Sequence, residues 1–316
     1  MRLRFFLRRL VMLIATLLVS SLVIFSALYI APGNPIATLS GGRSLPPESV
    51  KILEARYHLN EPFLAQYGLW LRNALHGDFG ISITLRENVS TLIVSRVGTT
   101  AALVLYASVL ILVIGIGLGL LSGLKHGPAD TSVLVLTAVS AAIPAFVAAI
   151  VLMLLFAVKL GWFPTLGNGQ GVLGTIRYLT LPAFALAISS LAIVARVTRA
   201  AVREEFRREH VQTAISRGIP YRQMVFRHVL RNAAIPITTI SGITVASLIA
   251  VAAVVERAFG LNGLGAYLVA AAASKDFAVV QGISLVLVTA FVFVNVLVDV
   301  LYAALDPRVS LGARAQ

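Results

Sequence analysis

Cysteine is absent from all 316 residues, which excludes disulfides and thiolate metal sites. Charge is scarce as well: Asp, Glu, Lys and Arg make up 12% of the chain, about half the share of an ordinary soluble domain. No G-x-x-x-x-G-K-[ST] phosphate loop occurs, and the nearest glycine-rich run ends Gly123-Leu124-Lys125 without that spacing. The five histidines (His58, His76, His126, His210 and His228) offer no pair at metal-ligand spacing on one helix. A G-x-S-x-G nucleophile elbow is missing too. The chain therefore shows no residues for hydrolysing ATP and no catalytic constellation.

What is present is apolar length. Hydrophobic residues make up 58% of the sequence, and uncharged windows run over 10–42, 97–124, 131–158, 178–195, 232–255 and 277–298. A helix needs about 20 apolar residues to cross the hydrocarbon core, and each window is near or above that length; 178–195 is the shortest. Backbone groups inside lipid must bond within their own segment, so windows this long predict helices and not strands. Six of them predict an all-α integral membrane protein. The N-terminal Arg2, Arg4, Arg8 and Arg9 precede an apolar run longer than a secretory signal core, with no clean cleavage site after it, so the first window reads as an uncleaved span.

The net charge of +13 could suggest nucleic acid, but such a binder places its cations in a soluble patch or stripe. Here they sit beside the apolar windows. Segments 1–9, 124–130, 197–231 and 306–316 hold 15 Lys and Arg, against 4 in the short alternate loops 159–177 and 256–281. The positive-inside rule then predicts both termini on the cytoplasmic side, the long segment 31–98 being discounted. The boundaries that follow are a cytoplasmic 1–9, a first span over 10–31, an extracytoplasmic 32–98, a membrane domain over 99–308 and a tail from 309.

Segment 31–98 carries helical signals of its own. Pro46 and Pro47 suit a first helical turn, with Val50, Leu53 and Tyr57 following at near-helical spacing. After Pro62, Phe63, Tyr67, Trp70 and Leu71 line one face. Tyr and Trp favour the membrane interface, so this segment is either an interfacial cap or a docking surface. Within the membrane, Gly115, Gly119 and Gly123 repeat at i, i+4, i+8, as do Gly242, Ala246 and Ala250; small residues at that spacing let helices approach closely. Asp299 is the one acid inside a span. It is either an ion or proton site, as in a secondary transporter, or the partner of Arg196, Arg199 or Arg231 near the inner face.

Residues 197–231 form an arginine-dense loop. A polar helix continues through Arg199, Arg203, Glu204, Arg207 and Arg208. Gly218 supplies a helix-ending position and Pro220 suits the start of a second helix. There, Gln223, Arg227 and Arg231 share one face, and Tyr221, Met224, Val225 and His228 another. Such a short basic amphipathic helix is a lipid anchor or a knob inserted into a partner.

The run Thr213-Ala214-Ile215-Ser216-Arg217-Gly218, with Arg227-His228-Val229-Leu230-Arg231-Asn232-Ala233 and Pro236 downstream, resembles the cytoplasmic signature of binding-protein-dependent ABC importer permeases, in particular the dipeptide, oligopeptide and nickel branch. Pro32-Gly33-Asn34-Pro35, Leu59-Asn60-Glu61-Pro62, Gly77-Asp78-Phe79-Gly80, Leu160-Gly161-Trp162-Phe163-Pro164, Val255-Glu256-Arg257-Ala258-Phe259 with Gly263-Leu264-Gly265, and Leu305-Asp306-Pro307-Arg308 extend the likeness in order along nearly the whole chain. Glu209-His210, Arg217 and Leu261-Asn262-Gly263 depart from the family's usual residues.

The resemblance implies a non-catalytic membrane subunit of the bacterial cytoplasmic membrane. It implies a homologous second permease, two ATPase chains that hold the ATP and magnesium, and an extracytoplasmic binding protein as partners, with no cofactor on this chain. Ala214, Arg217, Gly218, Ile219, Tyr221, Arg222 and Phe226 would meet an ATPase. Thr238, Thr239, Ser241, Thr244 and Ser247 would border the path, and Tyr57, Phe63, Tyr67 and Trp70 would lie on the binding-protein side. Peptides are the expected cargo, with nickel chelates, haem and glutathione as alternatives within the same machinery. An ion-coupled transporter and a non-transport scaffold are the readings from other classes.

Overall fold

The computed structural model describes residues 2–30, 46–56, 60–165, 169 and 171–305. Among them the chain is helical, without a strand; a single isolated bridge joins Ile81 and Asn88. Helices α1 (Arg2–Ile30), α2 (Pro47–Arg56) and α3 (Phe63–Leu75) come first. They are followed by α4 (Val89–Leu124), α5 (Pro128–Ala142), α6 (Ala145–Lys159), α7 (Gly171–Phe206) and α8 (Glu209–Ser216). The last three are α9 (Tyr221–Ala258), α10 (Leu264–Ala273) and α11 (Phe277–Leu305). Helices α1, α4, α7, α9 and α11 are each long and apolar enough to cross a membrane, and the pair α5–α6 makes a sixth candidate if it counts as one span.

The window 131–158 is not the straight helix expected from its composition. It breaks at Ile143-Pro144, and α5 and α6 meet at a bend of 102°. Proline has no N–H to donate and crowds the residue before it out of the helical region. Ile143 accordingly lies extended, at φ −88° and ψ 115°. Pro182 and Pro236, by contrast, sit inside α7 and α9 without ending them. Short π-helical turns interrupt α4 at Ile111–Gly115, α6 at Met153–Lys159 and α9 at Val225–Val229.

Helix α7 is the central post. It contacts α4, α5, α6, α8 and α9, and its buried face runs from Leu179 to Val202. The window 178–195, the shortest by composition, thus lies in the middle of the most enclosed helix. Its seam with α4 is set by the small-residue repeat. A Cβ on Gly115 would stand 3.2 Å from the Leu191 carbonyl, one on Gly119 2.6 Å from the Ala195 carbonyl, and one on Gly123 2.9 Å from Val202 Cβ. The first position is tight and the other two are closed to any side chain. The second repeat works the same way in part: Gly242 is closed by Val298 of α11 and Ala246 is buried, but Ala250 is exposed. Without a hydrophobic drive inside lipid, this close packing is what associates the helices.

Gly119→Leu should force α4 and α7 apart, because the obstacle includes backbone that cannot rotate away. Overpacking a closed site costs about 1–3 kcal/mol or more. A thermal unfolding midpoint in detergent as high as that of the unmodified chain would contradict this packing.

Candidate functional site

The arginine-rich end of the bundle is built by the last turns of α7, by α8, and by the first turns of α9. Alternate burial holds these pieces together. Val202 of α7, Val211 and Ala214 of α8, and Met224, Val225 and Val229 of α9 form one buried cluster, joined by Ala201, Ala233 and Ile237. Phe206, Ile219 and Leu230 pack against it.

The link between α8 and α9 is a glycine C-cap. Gly218 has φ +70°, a left-handed conformation that an L side chain enters only with strain. Its N–H bonds to the Ile215 carbonyl at 2.9 Å and the Ile219 N–H reaches the Ala214 carbonyl at 3.2 Å, the paired bonds of a Schellman motif. Pro220 then precedes the new helix, and its carbonyl accepts the Met224 N–H at 3.0 Å. No short separate second helix follows, in contrast to the sequence expectation. From Tyr221 the chain runs as one helix to Ala258, so the loop and the fifth apolar window share a single rod.

Of the residues assigned to an ATPase contact, Arg217, Gly218, Tyr221, Arg222 and Phe226 are exposed, with Tyr221 at 57% and Phe226 at 65%. The Tyr221 ring also stacks at 6.4 Å on Phe206. Ile219 is half-buried and Ala214 is 3% exposed. Ala214 therefore belongs to the interior of the loop and not to its outer surface. The departure Glu209-His210 also has a local use: His210 Nε2 lies 3.1 Å from Asn232 Nδ2 and 3.6 Å from Glu205, tying α8 to α7 and α9.

A second feature braces this end. Asp130, in the first turn of α5, receives Arg199 in a bidentate pair, Nε at 2.6 Å and Nη2 at 3.0 Å, and Arg203 Nη2 at 2.7 Å. The Ser122 hydroxyl donates to the same carboxylate, and Arg203 also reaches the Ser122 carbonyl at 3.2 Å. One acid thus joins the end of α4, the start of α5 and the last turns of α7 just before the loop. Arg199 is committed here; the Asp299 side chain lies outside the described residues.

At the opposite end another carboxylate is fully enclosed. Glu256, near the end of α9, has no exposed surface. Thr100 Oγ1 donates to its Oε1 at 2.6 Å and the Ala266 N–H to its Oε2 at 2.9 Å, while Thr100 in turn accepts the Leu264 N–H at 2.8 Å. The first turn of α10 has no earlier carbonyls to bond, and these side chains take their place. Gly263 must be glycine because a Cβ there would fall on the Glu256 carboxylate, and Gly265 because it lies against Ala253. The run Val255 to Gly265 is therefore a capping device written across a turn.

The remaining assigned residues divide. On α9, Thr239 and Ser247 are exposed and donate to their own helix, to the Ile235 and Thr244 carbonyls. Thr238 is half-buried, whereas Ser241 and Thr244 are buried, and the Ser241 hydroxyl has no partner. In α3, Phe63, Tyr67 and Trp70 surround Phe25 of α1 at ring distances of 5.5, 5.7 and 5.5 Å, and the Tyr67 hydroxyl lies 2.8 Å from Ser21 Oγ. That face fastens α3 to α1, with Tyr67 and Trp70 half-buried there and Phe63 still partly exposed. Tyr57 lies outside the described residues, as do residues 31–45 and the tail from 306.

The family described as the binding-protein-dependent transport system inner membrane component matches residues 115–311, and its N-terminal membrane component matches residues 2–104. The chain belongs to this family. A putative peptide transport system permease protein of Brucella abortus is 36% identical over 307 residues, covering 96% of this chain and 98% of the relative. The oligopeptide transport system permease proteins OppB of Salmonella typhimurium and Escherichia coli are each 34% identical over 309 residues, covering 97% and 99%. In fold, the chain resembles the inward-facing MetNI methionine ABC transporter, with a TM-score of 0.55 at 18% identity over 68% of this chain and 96% of that one.

Two outcomes follow from the paired carboxylates. Glu256→Ala should strand Thr100 and the first N–H groups of α10 and open a cavity, costing on the order of 2–3 kcal/mol, whereas Glu256→Gln should retain most of the cap. Equal unfolding midpoints for the two variants in detergent would speak against the capping role. Asp130→Asn should leave two guanidiniums short of their partner and loosen the loop end selectively. Limited proteolysis within residues 206–220 should then quicken before the apolar core is cut, and an unchanged cleavage rate would contradict the brace.

Proposed function

We propose that this chain is the channel-forming permease subunit of an ATP-driven importer for di- and oligopeptides in the bacterial inner membrane. It spans the membrane six times, with α5–α6 as one broken span, and the arginine-rich end and both termini face the cytoplasm. Its partners are a homologous second permease, two ATPase chains and an extracytoplasmic substrate-binding protein. ATP and magnesium are held by the ATPases. The cargo is taken from the relatives, whose names specify peptide or oligopeptide transport and which align along nearly the full chain.

The observation that carries this reading is the knob at the arginine-rich end. A glycine turn lifts two large aromatic side chains, Tyr221 and Phe226, into the open beside Arg217 and Arg222. Exposed aromatic and arginine side chains are the residue types that dominate protein contacts. The knob also begins the α9 rod. A helix of 38 residues is about 57 Å long, so a push on Tyr221 reaches Glu256 and the cap of α10 through one continuous element. Closure of an ATPase pair against the knob would thereby move the far end of the path, and Asp130 would keep α7 in step.

The test is the assembled complex in proteoliposomes, with peptide uptake and ATP hydrolysis read together. Gly218→Trp places a bulky residue in a left-handed turn at the contact, and Phe226→Ala removes an anchor without touching the backbone. Both should cut uptake per ATP hydrolysed by tenfold or more while the complex still assembles. Unchanged coupling in both variants would remove the knob from the contact. Uptake that continues without ATP and collapses with the proton gradient would replace the importer by an ion-coupled carrier.

A further inference from the structure

The end opposite the knob holds a third enclosed acid that none of the roles above uses. Asp276 sits in the turn between α10 and α11 and is 1% exposed. Its Oδ2 accepts the Ser82 hydroxyl at 2.6 Å and the Thr84 N–H at 3.1 Å, which fastens the loop after α3 to this turn. Its Oδ1 has no hydrogen-bond partner, and among the described residues the carboxylate forms no ion pair. Lys275, the residue before it, is exposed, and the Arg96 guanidinium lies 4.2 Å from the centre of the Tyr267 ring and donates to the Leu92 carbonyl and Ser95.

A carboxylate has room for about four hydrogen bonds, and one left half-satisfied away from water is costly. Such a group is kept where something else completes it. Asp276 borders a pocket of about 230 Å³, whose other walls are Leu85, Tyr267, Ala270 and Ala271 with Thr84 and Ser274. Apolar and aromatic walls over a single buried carboxylate suit a long methylene stem that ends in a cation.

We propose that this pocket receives a lysine or arginine side chain of the extracytoplasmic binding protein. The inference rests on the importer reading above, which places this end outside the cell. The salt pair would form in a site shielded from solvent, so losing its charge would act mainly on the lifetime of the docked complex.

The experiment uses the whole transporter in lipid nanodiscs and the peptide-binding proteins of the same organism, with affinity measured by biolayer interferometry. Asp276→Asn keeps an acceptor for Ser82 and Thr84 but removes the charge, and affinity should fall by tenfold or more. Lysine and arginine replacements across the binding protein that docks should include one whose loss costs as much and adds little to Asp276→Asn. That non-additivity marks a direct pair, which a merely structural acid would not produce. Unchanged affinity in Asp276→Asn, or full additivity for every replacement, overturns the pocket while leaving the importer intact. Failure of the unmodified transporter to bind any of these proteins overturns both. A loss confined to peptide uptake, with docking unaltered, assigns the pocket to the ammonium of the cargo and overturns the docking role.

Discussion

Everything at either end of this bundle depends on how closely α4 and α7 approach. Gly119 and Gly123 leave no room for a methyl group against Ala195, Thr198 and Val202, so the two helices are in backbone contact along the half nearer the arginine-rich end. Lipid tails are as apolar as leucine and give no net drive to bury one apolar helix against another. Shape has to do that work, and a glycine seam does it by multiplying short-range contacts. With α7 fixed, Arg199 and Arg203 fall opposite Asp130, and the tip of α7 meets α8 and α9 in a single buried cluster.

The acids are distributed with the same logic. Asp130, Glu256 and Asp276 all lie at helix ends, and each ties together elements distant in the chain. Asp130 is 69 residues from Arg199, Glu256 is 156 from Thr100, and Asp276 is 194 from Ser82. Taking a carboxyl group out of water is costly; guanidiniums offset that at Asp130, and a hydroxyl with a backbone N–H does so at Glu256, while Asp276 keeps one oxygen without a partner. Helix ends provide such N–H groups. The bundle thus uses small residues to pack its middle and carboxylates to fix its ends. Helices α7 and α9 connect the two regimes as continuous helical segments of 36 and 38 residues, α9 carrying a π-helical turn near its start.

That division explains what could be read from the residues in order. The apolar windows, the small-residue repeats and the Gly218 C-cap are local patterns, decided within a few turns of one helix; the Gly115-Gly119-Gly123 seam and the Gly218 turn are found where the spacing puts them, and the second repeat in part. Pro144 was equally local, yet composition alone placed one helix over 131–158, because an uncharged window carries no information about direction. Tyr221 begins α9 because nothing between it and Pro236 stops a helix, and a proline near the start of a long apolar helix is tolerated when neighbours cover the freed carbonyl. The aromatic stripe of α3 was visible, but its use was not: an interfacial helix and a docking helix have the same face, and only the fold shows Phe25 of α1 packed against it. Asp130, Glu256 and Asp276 left no local trace. Their partners are set by the fold, although Glu256 with Gly263 and Gly265 stood inside a recognisable run.

The polar groups of α9 bear on how a cargo could be read along it. On α9, Thr239 and Ser247 spend their only hydroxyl hydrogens on carbonyls of their own helix, at 3.0 and 2.7 Å. Such a hydroxyl offers a passing molecule an acceptor and no donor. If this face borders the path, it can solvate a peptide backbone without selecting a side chain, and discrimination by hydrogen bonding needs a buried site that goes unpaired with the wrong ligand. A channel of that kind transmits whatever is delivered to it. Under the function proposed above, selection would then belong to the delivering partner, and the permease would contribute the seat on which that partner is held and the rod through which ATP hydrolysis acts.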